Sequence, residues 1–221
     1  KICTLCPRMC AVDRKSGERG ICGQTTEIKV ARAALHFWEE PCISGEMGSG
    51  AVFFSGCALH CVFCQNENIA NGTAGKVIST ERLGEIFLEL QEKGANNINL
   101  VTPGQFVPQI IKAVELARNQ NLKIPIVYNT SSYENVDTIR SLEGIVDIYL
   151  PDFKYFDTAL SAKYSHAPDY PAVAKAVIAE MVRQTGAAFF ENGEDSLMKR
   201  GTIVRHLILP GCTKDSKAVL K

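Results

Sequence analysis

Short apolar runs that alternate with helical patterns constrain the fold of this chain more than any other feature. From residue 49 onward, five apolar runs bounded by turn residues predict buried strands. These runs are Ala51 to Ser55, Ile98 to Val101, Ile124 to Tyr128, Val146 to Leu150 and Ile203 to Leu209. Helical patterns lie between the runs, and strands that alternate with helices form right-handed βαβ units. The sequence therefore predicts an α/β fold with a parallel sheet.

The helical patterns are regular enough to place. One begins at Thr80 and ends before Gly94, with apolar residues at i, i+3, i+4 and i+7, namely Leu83, Ile86, Phe87 and Leu90. Two more cover Val107 to Asn119 and Tyr170 to Gln184, and another begins at Thr213. Five strands are too few for a complete barrel of eight. We predict a partial, open parallel β/α barrel, which is either short and open-sided or continued by residues after Lys221.

The character of the chain changes near residue 48. Residues 1–26 are Cys-rich and irregular, and residues 27–37 begin with the alternation of a half-exposed strand. We therefore predict a Cys-rich N-terminal extension over 1–48 and the partial barrel over 49–221.

Charge and hydropathy exclude several classes of partner. Lys and Arg number 24, as do Asp and Glu, so the formal net charge is zero and there is no basic stripe for nucleic acid. No run approaches the roughly 20 apolar residues of a membrane span, and the start, Lys1-Ile2-Cys3, lacks a secretory signal. These features predict a cytoplasmic protein without a nucleic-acid or membrane partner.

The nine cysteines fall mainly into two tight groups. In a reducing compartment, such spacing indicates metal ligation or catalysis more often than disulfides. The first group is Cys3, Cys6, Cys10 and Cys22, the second is Cys57, Cys61 and Cys64, and Cys42 and Cys212 are left over.

The second group directly follows the first predicted strand. Cys57, Cys61 and Cys64, spaced x3 and x2, can bind three irons of a cubane and leave the fourth iron without a protein ligand. An open position on a metal can bind an exogenous chelator. The alternative is a structural zinc site, which needs a fourth ligand from His60 or Cys42.

This spacing, with Phe63 just before the last cysteine, resembles the signature of the radical S-adenosylmethionine (SAM) superfamily. The resemblance implies that Cys57, Cys61 and Cys64 hold a [4Fe-4S] cluster that binds SAM and cleaves it reductively to a 5′-deoxyadenosyl radical, which abstracts hydrogen. It also implies an external one-electron reductant of the flavodoxin or ferredoxin type. Phe63 and Gln65 would then line the adenine side.

The resemblance further implies SAM contacts where the later strands end. After the second strand, Gly104 would let the backbone approach the ligand. Many family members have a Gly-Gly-Glu run there that contacts the amino group of SAM, whereas this chain has Gln105 and lacks that carboxylate. After the third strand, Asn129 and Ser131 could bond a ribose.

Charged residues mark the ends of the fourth and fifth predicted strands. Asp152 and Lys154 resemble the Asp-x-Lys of the pyruvate formate-lyase activating enzyme, and both charges fall on one side of the chain. Arg205 on the fifth strand could pair with the SAM carboxylate.

The whole chain resembles a branch of radical SAM proteins related to pyruvate formate-lyase activating enzymes. The stretches that carry this resemblance are 3–10, 38–45 and 54–57. It implies anaerobic activation of a glycyl radical enzyme, with a small metabolite or a peptide as the alternative substrate. The alternatives from other classes are a non-catalytic zinc or iron-sulfur binding protein and an electron carrier.

The first cysteine group has enough ligands to close a metal site completely. Cys3, Cys6, Cys10 and Cys22 are spaced x2, x3 and x11. Such a closed site suits a second iron-sulfur cluster or a structural zinc. The sequence leaves both open.

Overall fold

A computed structural model describes residues 2–191 and 196–221. Within these ranges the chain forms one mostly parallel sheet with the strand order β3-β1-β2-β4-β5-β6-β8-β7. The strands are β1 (Ile28–His36), β2 (Ser49–Phe54), β3 (Lys76–Ile78), β4 (Ile98–Val101), β5 (Ile126–Thr130), β6 (Ile148–Pro151), β7 (Phe189–Phe190) and β8 (Met198–Thr202). The order confirms a mixed α/β fold with an open, partial β/α barrel.

Parallel pairing runs through the centre of the sheet. β2 pairs with β4, β4 with β5, β5 with β6 and β6 with β8, all in parallel. β1 pairs antiparallel with β2 and β3 at one edge, and β7 pairs antiparallel with β8 at the other. Because the central strands are parallel, their carboxyl ends lie at the same edge of the sheet, where such folds place their sites.

Helices connect the strands. They are α1 (Pro41–Ser44), α2 (Glu67–Ala70), α3 (Thr80–Glu92), α4 (Val107–Asn119), α5 (Val136–Arg140), α6 (Thr158–Ser165), α7 (Tyr170–Thr185) and α8 (Thr213–Val219). The Ser79 hydroxyl accepts a hydrogen bond from the Arg82 amide and caps α3. Gly94 follows α3 with φ +86°, a left-handed conformation that glycine adopts readily and that ends the helix. The predicted helices are therefore confirmed within a residue at their starts.

The two faces of the sheet bury different clusters. On one face, α3, α4, α5 and α7 cover the main core, which includes Tyr128. On the other face, Ile43 of α1 packs with Val127, Leu150 and Met198. Neighbouring residues of a strand point to opposite faces, so Tyr128 packs in the main core and Val127 packs in the cluster on the other face. Burial on both faces explains why the central strands are continuous apolar runs.

The fifth predicted strand is wrong in its bounds. The strand β8 begins at Met198, five residues before the predicted start at Ile203. Backbone pairing with β6 continues only as far as Arg205, whose amide donates to the carbonyl of Pro151. The strand β8 lies near the sheet edge, and much of it is polar. A search for apolar runs therefore did not detect it. Beyond Arg205, Leu207 and Ile208 are exposed.

The N-terminal segment joins the sheet through β1, which confirms the strand predicted over residues 27–37. The segment before β1 is irregular apart from a short 3-10 helix at Arg14–Ser16. The division at residue 48 stays a prediction. Among the described residues, none of the helices has both the length and the apolar character required to cross a bilayer.

Candidate functional site

The cysteine loop starts where β2 ends, at the carboxyl edge of the sheet. Gly56 has φ +87°, and a Cβ there would lie 2.4 Å from the carbonyl oxygen of Cys22. Only glycine allows this turn and this close approach. The amide of Gln105 donates to the carbonyls of Ser55 and Gly56 at 2.9 and 3.0 Å. The loop is therefore held from both sides at its first residues.

The thiols of the loop are half-buried, and two of them, Cys57 and Cys61, accept hydrogen bonds. Burial raises the pKa of Cys57, and the charges of Cys61 and Cys64 raise it further, while the amides of His60 and Leu59 oppose this. Burial also raises the pKa of Cys61, against the nearby ammonium of Lys154 and the Ser165 hydroxyl. That hydroxyl donates to Cys61 Sγ at 3.1 Å. Such donors suit sulfur that carries negative charge, as metal-bound thiolate does.

The three thiols of the loop border two separate spaces. Cys57 lines a cleft, whereas Cys61 and Cys64 line a neighbouring hollow. Over residues 2–191 and 196–221, no three Cys, His, Asp or Glu side chains are arranged to hold a single metal ion. A single zinc needs its ligands around one centre, whereas the cysteines of a cubane bind separate irons. His60 bonds to the Ile21 carbonyl and Cys42 packs in the apolar cluster around Ile43, so neither is placed as a fourth zinc ligand and the three cysteines fit a cluster better.

A network of charges lies beside Cys61. Lys154 Nζ contacts Asp152 Oδ2 at 2.7 Å, and Arg205 Nε donates to Asp152 Oδ1 at 3.0 Å. Arg205 Nη2 also donates to Asn129 Oδ1 at 2.5 Å, and its Nη1 lies 3.5 Å from Glu39. Burial alone would lower the pKa of Lys154, but the charges of Asp152 and Cys61 outweigh it and raise that pKa. Four residues predicted from separate strand ends thus meet in one network.

The carboxylate of Glu39 reaches this network from the N-terminal segment. Burial raises the pKa of Glu39, and Arg205 opposes the shift. The side chain is only 10% exposed. The stretch around residue 39 therefore contributes a charged group to the edge of the barrel.

Tyrosines fix the loop that carries Asp152 and Lys154. The Tyr170 hydroxyl donates to the carbonyl of Asp152 at 2.8 Å and accepts from the amide of Lys154 at 2.9 Å. The ring of Phe63 packs edge-on against Tyr155 and Tyr164, with both centroids at 6.3 Å. Aromatic packing thus joins the cysteine loop to this strand end. Gln65 is exposed.

The cleft beside Cys57 brings other predicted residues together. Gly104 and Ser131 line it, together with Thr102, Thr130, Tyr133 and Glu134. Thr102 has φ +55°, which is strained for a β-branched residue. Its carbonyl accepts from Gln105 Nε2 at 2.9 Å. Gln105 is therefore committed to the backbone of the site, and its amide supports the loops that carry Thr102 and Gly56.

A buried carboxylate forms part of the cleft. Glu134 is 5% exposed. Tyr128 Oη donates to its Oε2 at 2.6 Å, and Thr130 Oγ1 donates to its Oε1 at 2.5 Å. Burial raises the pKa of Glu134. A Cβ at Gly104 would lie 3.0 Å from the Glu134 carboxyl carbon, so glycine leaves room for the carboxyl group there.

Three of the four N-terminal cysteines lie at this cleft. Cys3, Cys6 and Cys22 line it with Cys57. Burial raises the pKa of Cys6 to about 12, and the charges of Cys22, Cys10 and Cys3 contribute to the rise. The amide of Ile21 donates to Cys10 Sγ at 3.3 Å. The irregular segment therefore gathers the four thiols that the sequence grouped.

Reciprocal contacts join the two cysteine groups. Arg8, between Cys6 and Cys10, donates to the carbonyl of Ala58 at 2.8 Å and to that of Ser165 at 2.9 Å. Nε2 of His60, within the cysteine loop, lies 2.9 Å from the carbonyl oxygen of Ile21. Because a carbonyl only accepts, this nitrogen carries the proton. His60 therefore binds the N-terminal segment.

Arg14 attaches the N-terminal segment to the rest of the protein. Its guanidinium is buried and donates to the carbonyls of Gln24, Thr25 and Gln105. It also lies over the ring of Phe106, 5.8 Å from the centroid. The basic side chains of the irregular segment therefore serve as hydrogen-bond anchors.

Several residues of the site were missed from the sequence. Arg8, Arg14, Glu39 and Ser165 received no role, because each has a partner that is distant in the chain. Glu134 also received none, although its partners Tyr128 and Thr130 are near it in the chain. Glu134 carried a usable signal, since it lies four residues after Thr130, which ends a buried strand at the carboxyl edge. Arg8 lies between two predicted metal ligands, which was a signal of the same kind.

Comparison with known families agrees with this geometry. The sequence model of the radical SAM superfamily matches residues 51–212. The chain belongs to the radical SAM superfamily. The match begins in β2, includes the cysteine loop and ends at Cys212, so it spans the sheet edge described above. Membership in this superfamily implies a [4Fe-4S] cluster, SAM and a reductant.

A relative from an archaeon matches over a longer range than the family does. It is named uncharacterized protein MJ0674, from Methanocaldococcus jannaschii, and is 27% identical over 217 residues. The match covers 95% of this chain and 57% of that protein. The radical SAM chain thus spans a little over half the length of this relative. At that coverage the likeness extends beyond the superfamily match into residues before 51.

Proposed function

We propose that Cys57, Cys61 and Cys64 hold a [4Fe-4S] cluster and that the chain is an enzyme that cleaves SAM reductively. When bound, the cluster supplies an electron and an open iron at which SAM is split to give a radical that abstracts hydrogen. The three thiolates bind three irons, and no fourth cysteine is present in the loop.

The main support for this proposal is the position of the cysteine loop. The loop with three cysteines lies at the carboxyl end of β2, with donors directed at Cys57 and Cys61 and the charge network beside it. The half-buried Lys154 balances part of the negative charge that thiolates bring. Cys42 instead packs with the apolar cluster around Ile43, on the face of the sheet opposite the main core.

We propose that SAM binds between the cysteine loop and the carboxyl ends of the strands. Gly104 and Ser131 would meet it in the cleft, and Asn129, Asp152, Lys154 and Arg205 would meet it in the charge network. Arg205 and Lys154 already share Asp152, so they offer a pre-formed pair of cationic groups for a carboxylate. Phe63 and Gln65 stand on the cysteine loop and would line the adenine side.

The test is anaerobic reconstitution with iron and sulfide, followed by incubation with SAM and dithionite. We expect iron and sulfide in the protein and 5′-deoxyadenosine as product. The control is the variant with Cys57, Cys61 and Cys64 all changed to Ala. Product at the level of this control would reject the proposal, and zinc without iron in the anaerobically purified protein would favour a non-catalytic binding protein.

For the substrate, we propose hydrogen abstraction from a glycine of a partner protein, leaving a glycyl radical. The support is the likeness of stretches 3–10, 38–45 and 54–57 to a branch of radical SAM proteins that is related to activating enzymes of that kind. Proteins that co-purify anaerobically should show a glycyl radical by electron paramagnetic resonance (EPR) after incubation with SAM and reductant. A product on a small metabolite or a peptide, with no radical in any partner, would favour the alternative substrate.

We also propose that Cys3, Cys6, Cys10 and Cys22 bind a second iron-sulfur cluster or a structural zinc. The support is the proximity of the four thiols and the contacts of Arg8 and His60 with the neighbouring group. Metal analysis of the protein that lacks the Cys57 group should still find iron or zinc. Loss of all bound metal in that variant would reject the second site.

A further inference from the structure

Arg8 lies between two cysteines of the first group and binds the loop that carries the second. Its Nε donates to the carbonyl of Ala58 at 2.8 Å, and its Nη2 donates to that of Leu59 at 3.4 Å. Its other contacts are at the end of α6, where Nη2 donates to the carbonyl of Ser165 at 2.9 Å and Nη1 to that of His166 at 2.5 Å. One side chain therefore joins two segments that are far apart in the sequence.

The loop and the end of α6 together hold Cys61. Cys61 lies on the loop, and the hydroxyl of Ser165 donates to its Sγ at 3.1 Å. The amide of Val62 donates to the carbonyl of Tyr164 in α6 at 2.9 Å. The last carbonyls of a helix have no partner within it, so a guanidinium that binds them stabilises the helix end. Arg8 therefore fixes the position of α6 relative to Cys61.

Arg8 also shapes the cleft beside Cys57. Ala58 and Tyr133 line this cleft. The guanidinium carbon of Arg8 lies 5.0 Å from the centroid of the Tyr133 ring, which is a cation–π contact, and its Nε binds the carbonyl of Ala58. A ligand in the cleft therefore meets surfaces whose positions depend on Arg8.

Strained backbone surrounds these contacts. Met9, His60 and His166 have φ of +44°, +50° and +50°, in the left-handed region that residues with a side chain adopt at a cost. Such conformations persist where surrounding contacts enforce them. His60 Nε2 bonds to the carbonyl of Ile21, and Arg8 binds the carbonyl of His166. Contacts between the two cysteine groups therefore hold their junction in a conformation that the local chain does not favour.

We propose that Arg8 is a positioning residue that holds the cysteine loop for SAM, and that metal bound by the N-terminal cysteines holds Arg8. This inference rests on the proposed function, which brings SAM beside Cys57 and a metal to the first cysteine group. Cys6 and Cys10 each lie two residues from Arg8, so a metal that binds both restricts the conformations of the chain between them. The first metal site thus regulates SAM binding without touching SAM.

The experiment measures the Kd of SAM by anaerobic equilibrium dialysis of the reconstituted protein. Arg8→Met removes all of the hydrogen bonds to the loop and to α6. We expect it to weaken SAM binding by about 10-fold, the lower end of the range for residues that support metal ligands. Arg8→Lys keeps the charge without the planar fork, so it should weaken SAM binding by a smaller factor. It provides the test if Arg8→Met does not fold.

Arg19→Met is the matched control, since exposed Arg19 lies in the same segment and bonds to the carbonyl of Gly23. It should leave the Kd unchanged. The fraction of chains that bind SAM at saturation separates a weaker Kd from a loss of the cluster.

A second comparison tests the dependence on metal. Changing Cys6 and Cys10 to Ala should weaken SAM binding about as much as Arg8→Met does, because Arg8 is then no longer held. Adding Arg8→Met to that variant should weaken SAM binding little further. Two independent effects would instead multiply, to about 100-fold.

The outcomes separate this inference from the proposed function. An unchanged Kd in Arg8→Met, or in Arg8→Lys where only that variant folds, would overturn the role of Arg8. Multiplied losses would overturn its dependence on metal. Both results leave the proposed function standing. If reconstituted wild type binds no SAM and yields no 5′-deoxyadenosine, the proposed function fails and this inference fails with it.

Discussion

The two cysteine groups are positioned by different means. The loop with Cys57, Cys61 and Cys64 continues a buried strand, so the sheet determines where it begins. The segment with Cys3, Cys6, Cys10 and Cys22 has no strand of its own, and Arg8 and Arg14 attach it to carbonyls of the rest of the protein. A segment without a core of its own depends on such side-chain bonds and on metal. The comparison predicts that the two groups will respond differently to substitution.

The largest expected difference concerns SAM cleavage. Changing Cys57, Cys61 and Cys64 to Ala should reduce 5′-deoxyadenosine to background, because no ligand set for the cluster remains. Changing Cys3 and Cys6 to Ala should lower the metal content and leave SAM cleavage measurable. Product quantified by chromatography, with iron and zinc per chain, checks both. Complete loss in the Cys3 and Cys6 variant would remove the distinction between the groups.

The next effect is on stability. Arg14→Met should lower the free energy of unfolding by about 2–4 kcal/mol, because two buried carbonyls and one partly buried carbonyl lose their donor. Denaturant unfolding of the metal-free protein measures it. Arg19→Met is the control, since exposed Arg19 bonds only locally, to the carbonyl of Gly23. If the free energy of unfolding changes by a similarly small amount in both variants, Arg14 does not anchor the N-terminal segment.

A smaller effect is expected at the boundary between the two regions, where Glu134 lies. Burial raises the pKa of its carboxyl above the ordinary 4.5, so the folded protein holds a proton that the unfolded chain releases. Stability from this group is therefore present below pH 4.5 and falls as pH rises towards the folded pKa. Glu134→Gln should remove that decline, which unfolding measurements between pH 4.5 and 8 can detect. Parallel curves for the two proteins would contradict the shift.

The smallest effect concerns the electronic properties of the loop. Ser165→Ala removes the hydroxyl that donates to Cys61 Sγ, and the reduction potential should become more negative because donors to sulfur favour the reduced cluster. Ser161→Ala is the control, since that hydroxyl bonds to the carbonyl of Thr158 within the same helix. Potentiometry followed by EPR measures both variants. An unchanged potential in Ser165→Ala would separate this hydroxyl from the cluster.

The order of strands and helices could be predicted because it depends on local pattern. The run from Ile98 to Val101 is buried on both faces and was placed with its observed bounds. The strand from Met198 to Thr202 was missed because it lies near the edge and contains Lys199 and Arg200. Pattern thus locates central strands better than edge strands.

The site could be predicted only in part. The cysteine groups and the residues at strand ends follow from spacing, and the structure brings Asn129, Asp152, Lys154 and Arg205 together. The anchors Arg8 and Arg14 could not be predicted, because their partners are carbonyls far along the chain. The sequence pattern also does not show that the Gln105 side chain bonds to the backbone of Gly56 and Thr102, because those bonds require the two loops to lie close together.

The most direct test is the EPR spectrum of the dithionite-reduced, reconstituted protein before and after SAM is added. To isolate one cluster, the Cys3, Cys6, Cys10 and Cys22 group is changed to Ala. If three thiolates leave one iron open, saturating SAM should alter the signal of the remaining cluster. A spectrum that SAM leaves unchanged would contradict the account, because it would mean that this iron is closed to the ligand.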